Sequence, residues 1–121
     1  MRVFESVIFA IGCAAILSCA HTERSSPVTS LPEYDGQTRT AVEAILGRPG
    51  RTDTFPMSQA VGEFRVPLLN TYPRSNPANA KVMIEESWWD DGDYWITLWF
   101  HRVNGQWVVL DSCRWRKDVE F

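Results

Sequence analysis

The residues best suited to chemistry cluster in the C-terminal third of the chain. Glu85, Glu86 and Asp111 fall on neighbouring predicted strands, and carboxylates that converge on one face are what acid–base hydrolysis uses. The same residues also serve as a solvated edge or as partners for Arg102, Arg114 and Arg116, and we read them that way. His101 lies on a strand among apolar residues, which suits a packed or hydrogen-bonded imidazole, and His21 stands far away in sequence. A metal centre needs such donors in a cluster. Asp90, Asp91 and Asp93 surround Gly92, which is ordinary hairpin chemistry. No acid follows at the spacing of a calcium loop. Cys113 has only His101 to activate it, and the expected register sets the two on opposite faces. It reads as a small buried apolar residue. The sequence carries no Gly-rich phosphate loop and no Gly-x-Ser-x-Gly motif. The expectation is a protein without enzymatic activity, metal or cofactor.

The elements that hold these residues are strands. Lys81–Trp89, Tyr94–Val103 and Gln106–Trp115 are rich in β-branched and aromatic residues. Asn104-Gly105 joins the last two and favours a two-residue type I′ turn. Asp90-Asp91-Gly92-Asp93 joins the first two. With that turn, Val103 faces Gln106, Phe100 faces Val109, Ile96 faces Cys113 and Tyr94 faces Trp115, while Trp89 is set opposite Tyr94. One face then carries Trp89, Tyr94, Ile96, Leu98, Cys113 and Trp115. The other carries Ile84, Trp88, Trp95, Trp99, His101 and Leu110. Both are apolar, whereas a sheet with one wet face alternates.

Each face therefore needs a cover. An aromatic side chain buries roughly 150–250 Å². At about 25 cal/mol per Å², two or three open tryptophans forgo on the order of 10 kcal/mol. One face takes a short helix. The other needs a long loop, a second helix from residues 51–60, or a partner. Trp88, Trp95 and Trp99 on that face, with Leu68, Leu69 and Tyr72 from the loop, are the candidate binding residues.

Upstream, Thr38 suits a helix N-cap, Val42, Ile45 and Leu46 form one apolar stripe, and Gly47 with Pro49 ends the helix. Residues 51–60 read as a connection and Ala60–Pro67 as a short edge strand. Leu68–Ala80, with Pro73 and Pro77, reads as a long loop packing its own apolar residues. The expected fold is α+β, with one or two short helices packed on a three- or four-stranded antiparallel meander over residues 36–121. Residues 19–35 hold prolines, serines and threonines with little apolar content and read as a flexible tether.

The first residues are a targeting segment. Arg2 precedes the apolar run Val7–Leu17, which is too short for a span of roughly 20 residues. Ser18-Cys19 then resembles a lipobox, making residues 1–18 a lipoprotein signal peptide. Alternatively, Ser18-Cys19-Ala20 is an ordinary cleavage site and the mature chain starts at His21. Resemblance to bacterial lipoproteins implies acyl chains such as palmitate on Cys19. Several are needed, since one myristoyl chain binds a membrane only marginally. A lipidated Cys19 leaves Cys113 without an intramolecular disulfide partner. In a Gram-negative host, Ala20 implies the periplasmic side of the outer membrane. Loss of residues 1–18 removes one Arg and one Glu, so the formal charge stays at −3. An acidic balance argues against nucleic acid as a partner.

Gly36-Gln37-Thr38-x-x-x-Val42-x-x-Ile45-Leu46-Gly47-x-Pro49 resembles the Gly-Met-Thr-x-x-x-Val-x-x-Leu-Leu-Gly-x-Pro signature of the small BamE/SmpA/OmlA-like lipoproteins. Gln37 stands where Met is usual. The order of lipobox, tether, helix and three-stranded sheet is also similar. The resemblance implies a helix on an antiparallel sheet and a protein-contacting role. The expected function is thus a non-catalytic, membrane-anchored envelope lipoprotein that acts as a protein-interaction module. The alternative is a small ligand- or glycan-binding domain that uses an aromatic sheet face.

Overall fold

The computed structural model describes residues 27–119 and Phe121, so the predicted signal peptide, Cys13, Cys19 and His21 lie outside the described residues. The three aromatic strands form as expected: β3 (Met83–Asp91), β4 (Tyr94–Val103) and β5 (Gln106–Arg116). Asn104 and Gly105 both take positive φ, 51° and 80°, as a type I′ turn requires. The other hairpin is tighter than its four polar residues imply. Asp91 pairs with Tyr94, so Gly92 and Asp93 alone make the turn. Gly92 has φ 67°, which costs glycine little.

The sheet is larger than the predicted three or four strands. It has five, all antiparallel, in the order β1 (Val28–Thr29), β5, β4, β3 and β2 (Arg51–Pro56). Strand β2 (Arg51–Pro56) occupies a stretch expected to be a connection. It pairs with β3 from Arg51 opposite Trp88 to Pro56 opposite Met83. Proline is tolerated there because an outer strand can do without one ladder donor. Strand β1 (Val28–Thr29) pairs with Trp115 and Arg114 of β5. The domain therefore reaches back into the predicted tether.

One bulge redistributes the side chains. Phe100 faces Val109 as expected, but Trp99 faces Asp111, so Leu110 is an extra residue between two pairs. Everything beyond it changes face relative to a regular ladder. Cys113 now faces Thr97 and Trp115 faces Trp95. Both thereby leave the face of Trp89, Ile96 and Leu98 and join that of Trp99 and Ile84.

Helix α1 (Arg39–Leu46) covers the first face. The Thr38 hydroxyl accepts from the Ala41 N–H at 3.2 Å, and Gly47 closes the helix at φ 78°. Val42 is fully buried against Trp89, Ile96, Leu98, Phe100 and Val109, with Leu46 packed beside it. Ile45, expected in the same stripe, is 63% exposed. Trp89 Nε1 donates to the Gly47 carbonyl at 2.9 Å and ties the helix end to the sheet. A single 3₁₀ turn, Pro32–Tyr34, adds Leu31 and Tyr34 to this layer. Ser112 holds Leu31 by donating to its carbonyl and accepting from its N–H.

The second face is covered by the chain itself. Residues 57–81 form three 3₁₀ segments, Met57–Gln59, Glu63–Asn70 and Pro77–Lys81. The edge strand expected at Ala60–Pro67 is absent, because those residues lie in this cover, with Pro67 inside the Glu63–Asn70 segment. The predicted loop is built from turns as well. Met57, Ala60 and Leu68 sink into the core with Ile84, Trp99 and Trp115. No helix among the described residues is long and apolar enough to cross a membrane.

Candidate functional site

Successive residues of a strand point to opposite faces, so β3 separates Glu85 from Glu86. Glu85 turns to the helix layer, where the Arg39 guanidinium donates to Oε2. That guanidinium also lies over the Trp107 and Phe100 rings, at 5.5 and 5.9 Å. Burial pushes the Glu85 carboxyl above the usual range, against the pull of Arg39. Glu86 turns to the cover and is 2% exposed. Its Oε2 accepts from Arg65 Nε at 2.9 Å and from Trp99 Nε1 at 2.7 Å. Its Oε1 accepts from Trp88 Nε1 at 3.1 Å and from Arg65 Nη2 at 3.3 Å. Arg65 in turn stacks over Phe55 at 3.8 Å. The two glutamates are thus clasps, one for each layer. Their arginines are Arg39 and Arg65, not the predicted ones. Arg114 pairs with Asp91 at 2.7 Å, Arg116 with Asp118 at 2.6 Å, and Arg102 lies over Trp107 at 5.0 Å.

His101 Nδ1 and the Tyr72 hydroxyl share a hydrogen bond of 2.6 Å, which links the cover to β4. Burial lowers the imidazole pKa. Asp90 is paired with Lys117 at 2.7 Å. Among the described residues no group of three or more His, Cys, Asp or Glu could hold a metal.

Cys113 is buried, and because of the bulge it shares the cover face with Tyr72 and His101, contrary to the expected register. Burial, with Asp111 and Glu86 adding, pushes its thiol up from 9.0 to about 12. The folded chain therefore keeps this proton at alkaline pH where the unfolded chain loses it, so stability falls as pH rises through that interval. We expect Cys113 to be alkylated at pH 8 roughly a thousandfold more slowly in the native protein than in urea, because only the thiolate reacts. Equal rates in a timed iodoacetamide assay, read by mass spectrometry at Cys113, would refute the burial argument.

The residues expected to bind a partner are divided by the fold. Trp99 is 1% exposed and Leu68 fully buried, so both are core. Trp88, Trp95, Leu69 and Tyr72 are half-buried. The rings of Trp88 and Trp95 meet edge to face with centroids 5.5 Å apart. Arg51 sits over Trp88 and Lys117 over Trp95, each at 4.6 Å. The result is an indole pair with two cations beside the Gly92 turn. Phe64 was not anticipated as a site residue. It touches Trp88, Trp99, Trp115 and Phe121, with centroids 4.8–5.8 Å apart. Its apparent place in an alternating strand concealed it.

No family model matches the chain, and neither a curated protein nor a solved structure is similar to it. The BamE-like resemblance therefore has no support from these comparisons and rests on the motif from Gly36 to Pro49 and on the order of the elements.

Proposed function

We propose that this chain is a non-catalytic envelope lipoprotein that docks another envelope protein through the Trp88–Trp95 pair at the hairpin end of its sheet. The observation that carries the reading is the half-open indole pair with Arg51 and Lys117 on its rings. Such a surface suits a partner that offers apolar side chains and carboxylates, since aromatic and arginine residues are the ones enriched at protein interfaces. Glycan stacking has less support, because it needs an open indole face and these rings already carry a cation or a neighbouring ring. The division of Glu85 and Glu86 between two layers, each held by an arginine, supports a role without hydrolytic chemistry.

The anchor in this reading is Cys19. Eight residues, 20–27, lie between it and Val28, a reach of at most about 30 Å when fully extended. Docking would then occur close to the membrane surface.

Two measurements test the proposal. Cys19→Ser should move the protein from the membrane to the soluble fraction and abolish palmitate labelling. A photo-crosslinking residue at position 95 of the anchored chain should give a discrete protein adduct that the same probe at the exposed Ile45 does not. The adduct should disappear when Arg51 and Lys117 are both changed to Glu. An adduct of equal yield at both positions, or one indifferent to the charge reversal, counts against docking at this indole pair.

A further inference from the structure

A second feature lies away from the indole pair. Between the Glu63–Asn70 cover segment and the β1–β5 edge opens a cleft of about 410 Å³, within the size range of small-ligand sites. Phe64, Trp99 and Phe121 give it aromatic walls, with Phe64 4.8 Å from Phe121 and 5.1 Å from Trp99 between centroids. Among the described residues its charged lining is Glu63 and Asp111, with no Lys or Arg. Among the described residues neither carboxylate is in an ion pair, whereas Asp53, Glu85, Glu86, Asp90, Asp91 and Asp118 all are. Among the described residues the Asp111 carboxylate accepts from the adjacent Ser112 N–H alone, at 2.8 Å. It is half-buried and stands opposite Trp99 on the cover face, an orientation that follows from the Leu110 bulge. The negative field of Asp111 reaches both Cys113 and Asp35.

We propose that this cleft binds a small organic cation, with an apolar or aromatic body against Phe64 and Phe121 and an ammonium or amidinium head beside Asp111 and Glu63. Three properties converge on that class. Aromatic faces attract cations through their quadrupoles, by more as water is removed. A partly buried carboxylate without a cation, as at Asp111, is costly and gains most from one, while Glu63 adds its charge from the exposed rim. The cleft also has no donor of positive charge that would hold an anion. The inference does not depend on docking at the indole pair, whose cations lie elsewhere.

The test uses the full chain in a non-ionic detergent and benzyltrimethylammonium as probe, with benzyl alcohol and benzenesulfonate as neutral and anionic controls. The cation should change tryptophan fluorescence saturably and the controls should not. Asp111→Asn with Glu63→Gln should weaken its binding by at least about tenfold, with the near-ultraviolet circular dichroism unchanged. Asparagine keeps an oxygen for the Ser112 N–H, so the variant tests charge and not folding. Benzyl alcohol binding as tightly as the cation would overturn the proposal. So would affinity unaltered in the double variant, or a flat titration into the millimolar range.

Discussion

Glu86→Ala should destabilise the domain by about 3–5 kcal/mol, the range for removing one member of a buried ion pair. The carboxylate is nearly sealed and accepts four hydrogen bonds, two from Arg65 and one each from the Trp88 and Trp99 indoles. Alanine would leave two indole N–H groups without their acceptor, and Arg65 with only its longer contacts to Asp53 and the Gln59 carbonyl, at 3.4 and 3.5 Å. Against a typical domain stability of about 5–15 kcal/mol, that is a large fraction. The urea midpoint should fall sharply, and tryptophan emission should shift to the red as the cover loosens. The double replacement Glu86→Met with Arg65→Met should cost less than Glu86→Ala alone, because it removes the charge and its partner together. A single variant as stable as the parent would show that the clasp does not hold the cover.

Trp99→Ala should cost about 3–5 kcal/mol through the cavity it leaves. The ring is 1% exposed, touches Phe64 and donates to Glu86. Its effect should not add to that of Glu86→Ala, since both variants delete the same hydrogen bond and neighbours in one network couple. A double variant whose loss equals the sum of the single losses in urea titrations would argue against a shared hub. Trp95 is the useful contrast. It is half-buried at the sheet end, so its replacement should affect docking more than stability.

The elements that could be read along the chain are those settled within a few residues. Thr38 and Gly47 bracket a helix because one supplies an acceptor for an orphan N–H and the other tolerates positive φ. Asn104-Gly105 fits the turn whose backbone twist matches its strands. The five-strand count was hidden for the opposite reason. Thr52, Thr54 and Phe55 are suitable for a strand, but the short run becomes one only when β3 offers its edge. Val28 and Thr29 are drawn out of the expected tether in the same way by β5. Ile45 shows that a helical stripe need not be buried across its whole width.

The candidate binding residues were less legible. Leu110 is an ordinary strand residue, and nothing in its neighbours announces that it will stand unpaired. Yet that one residue transfers Cys113 and Trp115 to the cover face and brings Asp111 beside Trp99. Arg65 gave no sign of its role either, because its partner Glu86 lies 21 residues away.

From sequence alone came the α+β class, the helix with its caps, the three aromatic strands and the need for cover on both faces. These depend on local backbone preference and on apolar area, which add up along the chain. The source of that cover, the faces of Trp115 and Cys113, and the arginine that meets each glutamate were settled only in the tertiary structure. They turn on strand register and long-range pairing, where a shift of one residue reverses every side chain beyond it.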